Sequence, residues 1–241
     1  MARTDDVELF ELFWENSKLN PVTIAEFGRR INAFAADGRP DTSLDESAAD
    51  VQLESPRDAL QKLMFTRRSV RSWSSRPVSM KQLGALMAAF AKSQTGMRAY
   101  PSAGATYAVE VYCLLNQVEG ELRGKVVRYH ADNHSLSVVG VAPSDEEIRD
   151  LINLEGAAGA PPLVFVIALI AERTTAKYGE RGGRFALIEA GQALQNLALR
   201  IEAEGLAGVE LGGLLDDRVR ALLKLDRKAK IALGYACGHP A

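Results

Sequence analysis

Lys177 and Tyr178 stand side by side, and Arg181 and Arg184 follow within two helical turns. An amine, a phenol and two guanidiniums in so short a span offer a base, a hydrogen-bond donor and fixed positive charge. Lysine is a base only when neutral, so the amine works only if burial or nearby cations lower its pKa from about 10.4. The plain alternative is a solvated lysine beside a tyrosine that packs on a helix start. A second cluster, Arg67, Arg68, Ser69 and Arg71, presents planar donors suited to a phosphate or another anion; equally, basic residues end helices, where they complement the dipole. Pro101, Ser102, Ala103 and Gly104 carry small side chains that would let a flat ligand approach the backbone, or they form an ordinary loop before a strand. Gly212-Gly213 reads as a tight turn. His130 and His134 lack a third ligand nearby and read as hairpin surface rather than a zinc site; no residue is assigned to a metal.

The elements that must position these groups centre on one long helix. Leu187, Ala190, Gly191, Leu194, Leu197, Ala198 and Ile201 recur at three- and four-residue intervals, which predicts a buried helix from near Arg184 to Gly205. The Lys-Tyr pair stands at its head and the diglycine beyond its tail, so chemistry is expected at both ends. Upstream, Val7, Phe10, Phe13 and Trp14 share a helical face, and a second helix opening at Pro21 and Thr23 should bury Ile24, Phe27, Ile31 and Phe34. Residues 36–55 turn acidic and poor in large apolar groups, the best domain boundary: 1–54 reads as a helical arm with a linker, and 55–241 as the main domain. Ser55-Pro56 is expected to cap a helix that ends in the arginine cluster. Ser79 with Gln82, and Ser144 with Glu147, spell capping boxes. The run through Leu115 reads as a strand, residues 125–130 and 135–139 as a hairpin, the apolar stretch after Pro161-Pro162 as a central strand buried on both faces, and Lys230 to Ala236 as the last strand. Asp216-Asp217 should cap a last helix containing Val219, Leu222 and Leu223, between the diglycine and the last strand. The fold class is therefore α/β (α+β), a mixed sheet with helices on both faces.

Composition narrows the partners. A net charge of -2 over 241 residues provides no basic field for nucleic acid, and the longest apolar run is too short for a membrane span. The first residues resemble no signal peptide, so the cytoplasm is expected. Cys113 and Cys237 are isolated. No glycine-rich phosphate loop follows a strand, which argues against a dinucleotide-binding doubly wound fold.

Taken together and in order, RRSVRSW, PSAGATYAVEVY, YGERGGRFALIEAGQALQNLAL and the downstream diglycine resemble the flavin-dependent nitroreductase superfamily, and within it the azoline dehydrogenases of the SagB type. The resemblance covers roughly residues 55–240, and the stretch around Trp14 resembles the N-terminal arm of that branch. It implies a three-layer sandwich around a mixed, mainly antiparallel sheet, homodimeric, with FMN at the subunit interface. By the same resemblance Arg67 and Arg68, assisted by Ser69, bind the phosphate or ribityl oxygens, and Arg71 lies at the pyrimidine edge. Pro101, Ser102, Ala103 and Gly104 pack on the isoalloxazine from the partner subunit, and the backbone of Gly212 and Gly213 approaches the reactive nitrogen of the ring. Lys177 and Tyr178 match a pair credited with catalysis. The implied activity is oxidation of thiazoline or oxazoline rings in a ribosomally made peptide delivered by a cyclodehydratase. The alternatives are an NAD(P)H-dependent nitro- or quinone reductase and a catalytically silent scaffold subunit. Two departures from the branch bear on this: Ala108 stands where proline is frequent, and the chain stops soon after Gly238, from which a weaker phosphate site is expected.

Overall fold

The strand Leu163–Leu169, every residue of which is buried, is the axis on which the molecule is assembled. A computed structural model describes residues 9–37, 51, 53–154 and 159–241. Six strands, β1 (Val109–Leu115), β2 (Lys125–His130), β3 (Ser135–Val141), β4 (Leu163–Leu169), β5 (Ala207–Leu211) and β6 (Lys230–Gly238), form one sheet in the order β3-β2-β1-β4-β6-β5. All pairings among these strands are antiparallel. Parallel pairing is confined to the isolated bridges Ser69 to Gly208 and Val78 to Val118.

Because successive side chains on a strand point to opposite faces, β1 and β4 serve two cores at once. Val111, Cys113, Phe165 and Ile167 face a cluster completed by helices α4 (Met80–Met87) and α7 (Arg181–Ala203). Tyr112, Leu114, Val164 and Val166 face a second cluster completed by α5 (Asp145–Ile152) and α8 (Asp216–Leu222). The result is the expected three-layer sandwich. Both capping boxes form, Ser79 with Gln82 and Ser144 with Glu147, since each depends only on residues three apart.

Three local expectations are corrected. The helix before the arginine cluster, α3 (Ala59–Thr66), is capped by Asp58, whose carboxylate accepts the Gln61 N–H at 2.8 Å, and not by Ser55. Asp216 and Asp217 begin α8 but cap nothing; the N-cap is Leu215. Asp216 instead accepts the Leu19 N–H at 3.1 Å, a contact from 197 residues away that no local pattern encodes. The third concerns α2 (Ile24–Asp37): Ile24, Phe27, Ile31 and Phe34 are not buried, and Ile31 and Phe34 remain 53% and 52% exposed, because the described residues place no second layer across that face.

The first helix, α1 (Leu9–Ser17), does dock. Trp14, 6% exposed, enters the larger core, while Phe13 and Leu12 stay exposed. The Phe10 N–H donates to Glu180 at 2.8 Å, Glu11 pairs with the buried Lys230, and the Phe10 ring fills the space that a Cβ on Gly183 would need. Val7 and most of the acidic stretch 36–55 lie outside the described residues.

Candidate active site

The turn Pro101–Gly104 is held in an unusual backbone conformation from several sides. Gly104, Ala105 and Tyr107 have φ of 58°, 54° and 47°. For alanine and tyrosine this left-handed region costs on the order of 1–3 kcal/mol each and persists only where the surroundings over-determine it. Ser102 Oγ donates to Glu189 at 2.5 Å and accepts the Tyr107 N–H at 2.9 Å, and the other oxygen of Glu189 accepts the Val109 N–H at 3.1 Å. Glu189 is 2% exposed, and burial pushes its carboxyl up from the usual range against the opposing pull of these hydrogen bonds. On the other side Arg173 donates to the Tyr107 carbonyl at 2.8 Å and to Glu110 at 2.7 Å; Glu110 is also gripped by Arg128.

Arg173 and the Lys-Tyr pair share the short helix α6 (Glu172–Tyr178). Gly179, at φ 58°, ends it, and Gly182 abuts the Thr174 backbone so closely that a Cβ would lie 2.7 Å from it; α6 and α7 therefore meet at a sharp corner. That corner swings Lys177 and Tyr178 onto the turn. Lys177 Nζ donates to the Gly104 carbonyl at 3.2 Å, and both Nζ and the Tyr178 hydroxyl occupy the space over Gly104 where any side chain would collide. Tyr178 is fixed edge-on against Phe185, with ring centroids 5.2 Å apart. Two stretches more than seventy residues apart thus become one surface, with an amine and a phenol over a bare backbone. Arg181 and Arg184 face outward and, with Phe10, Phe13 and Leu187, line a groove of about 510 Å³ between α1 and α7.

The arginine cluster follows α3. Arg67 caps that helix through its N–H and lies by Tyr235, whose phenol burial pushes up to about 12 while Arg67 pulls the other way. The Arg68 guanidinium folds back onto the carbonyls of Phe65 and Arg67, at 2.5 and 2.9 Å, in the helix-ending role basic residues often take. Ser69 and Val70 then pair with Gly208, the latter through a 2.9 Å bond, and Trp73 Nε1 donates to Ala207, so the segment lies along the outer edge of β5. Arg71, Gly212 and Gly213 meet in a groove of about 330 Å³ walled by α2. Neither glycine has a positive φ; a Cβ on Gly212 would meet nothing within 4 Å and one on Gly213 only an ordinary contact at 3.5 Å with Asn153. Among the described residues nothing requires glycine at either position.

The candidate residues therefore gather in two separate places: the groove holding Arg71 and the diglycine includes none of Pro101 to Gly104, Lys177 or Tyr178. Sequence reasoning missed Glu189 and Arg173. The signal for Glu189 was a carboxylate within the apolar face that Ala186, Ala190 and Ala193 continue; Arg173 carried none. In the hairpin His130 bonds Ser137 and His134 bonds Tyr129, and among the described residues no group of three or more His, Cys, Asp or Glu could hold a metal. Nor, among them, is any helix long and apolar enough to cross a membrane.

The sandwich agrees with the comparisons. Residues 64–239 match the family model of the nitroreductases, and the chain belongs to this family of oxidoreductases. A Methanocaldococcus jannaschii protein, provisionally named a nitroreductase, is 35% identical over 172 residues, covering 69% of this chain and 84% of that protein. The microcin B17-processing protein McbC of Escherichia coli is 31% identical over 149 residues, 59% of this chain but only 55% of McbC. A chain of the Escherichia coli microcin synthetase McbBCD complex, with truncated pro-MccB17 bound, shares the fold at a TM-score of 0.64 and 20% identity, over 98% of this chain and 99% of that one.

Proposed function

We propose that this protein is an FMN-dependent azoline dehydrogenase that converts thiazoline or oxazoline rings of a ribosomally made peptide into thiazoles or oxazoles. The observation that carries this reading is the convergence of Lys177 and Tyr178 over Gly104. Similarity to McbC and to the complex that holds a microcin precursor supports a peptide substrate and a cyclodehydratase that delivers it. Aromatising the ring takes a proton from the carbon bearing the peptide carbonyl and a hydride from its neighbour. Bound FMN would supply the hydride acceptor. Lys177, deprotonated, takes the proton at Nζ, and Tyr178 donates a hydrogen bond to the ring heteroatom or to that carbonyl.

The residues fit the cofactor in two halves. Arg67 and Ser69 would hold the phosphate or ribityl oxygens, joined by Arg68 once its guanidinium leaves the helix end. Arg71 would face the pyrimidine edge, where a cation stabilises negative charge on the reduced ring. The open backbone of Gly212 and Gly213 would meet the reactive nitrogen. Pro101 to Gly104, with Lys177 and Tyr178, would come from the other copy of a homodimer, which accounts for the separation of the two halves within one chain. Ser102 is then a brace for the turn, since its hydroxyl is committed to Glu189 and Tyr107.

Lys177→Ala should retain flavin and lose aromatisation by about 10²–10⁴-fold, the usual contribution of a positioned base. Mass spectrometry of an azoline peptide, reading a loss of about two hydrogens per ring for each two-electron transfer, checks this; turnover at the wild-type rate would remove Lys177 from the mechanism. The higher identity to the archaeal relative favours a second reading, an NAD(P)H-dependent nitro- or quinone reductase. Anaerobic mixing with NADPH separates the two, because rapid bleaching of the flavin belongs to the reductase alone.

A further inference from the structure

Helix α2 lies outside the residues that match the family model, yet it walls the groove that holds three of the candidate cofactor residues. Phe27, Gly28, Ile31 and Asn32 face Arg71 and the diglycine across a space of about 330 Å³, with the end of α5 closing one side. We propose that α2 is the outer wall of a substrate subsite that takes the extended peptide segment flanking the ring being oxidised. The inference rests on the proposed azoline dehydrogenase activity and adds to it the element that recognises the peptide.

The groove is built for a peptide rather than for another anion. Glu210 lines it together with Arg71, so its charge is balanced and a second phosphate would gain little. The carboxamides of Asn32 and Asn153 make no hydrogen bond to the described residues, and each offers the paired donor and acceptor that a peptide bond requires. Phe27 and Ile31 add apolar surface that the described residues leave partly uncovered; covering it with the flat ring and its neighbours would favour binding. A groove of this size lies at the small end of ligand sites.

The wall is fixed to the floor. Just before α2, the Leu19 N–H is held by Asp216 at 3.1 Å and Lys18 pairs with Asp217 at 3.4 Å. Both acids open α8, three and four residues after Gly213. The start of α2 is therefore tied to the same stretch of chain that presents the diglycine. Where the reacting ring lies against the flavin edge, the peptide on one side of it must leave past this wall.

Gly28 provides the test, because it lines the groove and a Cβ there meets nothing within 4 Å, so a side chain can start from that point without a clash at its first atom. The full chain loaded with FMN is titrated with a fluorescein-labelled peptide carrying one thiazoline flanked by glycines, and with a thiazoline amide lacking flanks. Flavin content is read from the visible spectrum. Gly28→Trp should weaken the flanked peptide at least tenfold, leave the amide within twofold, and leave flavin content unchanged; Ile31→Ala should weaken the flanked peptide to a smaller degree. Equal affinity of wild type and Gly28→Trp for the flanked peptide would overturn the proposal, as would loss of flavin from Gly28→Trp, which would assign the α2 wall to holding the cofactor rather than the peptide. A wild type that binds the peptide in a Gly28-dependent manner without oxidising it supports the subsite and sinks only the dehydrogenase reading. A wild type that binds no flanked peptide overturns both.

Discussion

Glu189 shows how one residue can matter without touching a substrate. Its two oxygens take up the Ser102 hydroxyl and the Val109 N–H, and so fix both ends of a turn whose Ala105 and Tyr107 are held at positive φ. Burial raises its pKa, so the folded state binds a proton more tightly than the unfolded chain does. The stability it contributes should therefore be fully present below the ordinary carboxylate value of about 4.3 and be lost as pH rises from there through the raised value. Asp216, also raised by burial, contributes a slope of the same sign. Chemical unfolding of Glu189→Gln at several pH values should show a shallower decline than wild type; an identical profile would mean that the carboxyl titrates as it does in the unfolded chain. Arg173 stands one helical turn before Lys177 and bonds both the Tyr107 carbonyl and Glu110. Arg173→Gln should lower turnover by about tenfold at unchanged flavin content, because a catalytic group displaced by about 1 Å loses rate rather than binding. A fall in flavin content with turnover per flavin intact would reassign Arg173 to cofactor retention.

Among the elements, the arm depends on one missing methyl. The Phe10 ring lies where a Cβ of Gly183 would be, and Trp14, four residues on, is buried in the main core. Gly183→Ala should cost about 1–3 kcal/mol by overpacking and raise amide exchange across α1 while the middle of α7 stays protected. Uniform protection in both helices would show that α1 shifts without loss. How far such elements are legible depends on the reach of what specifies them. The boxes at Ser79 and Ser144 and the buried face of α7 repeat within a turn or two of helix, and the sequence predicts them directly. Asp58 in place of Ser55, and Asp216 bound to Leu19, are decided by which neighbour arrives, and periodicity carries no such information. In α2 the apolar period is genuine, but it specifies an amphipathic helix and not what covers it.

At the scale of the whole molecule, Lys177, Tyr178 and Gly104 gather in one place while Arg71, Gly212 and Gly213 gather in another. If two copies complete each site, as proposed, the variants Lys177→Ala and Arg71→Ala should complement. Random reassociation of equal amounts makes half the dimers mixed, each with one intact site, so about a quarter of wild-type activity should return. Mixtures as inactive as the separate variants would mean that both sets of residues act from the same chain. Residue types and their spacing determined on their own the alternation of strands and helices, the fully buried β4 and the motifs that resemble a flavin enzyme, because those follow from local geometry and from which side chains avoid water. Tertiary structure alone decided that an amine at 177 rests on a carbonyl at 104, that Glu189 braces the turn beneath them, and that α2 stands across from the diglycine. Those contacts join segments from 73 to more than 180 residues apart, and only the folding of the sheet and the corner at Gly179 brings them together.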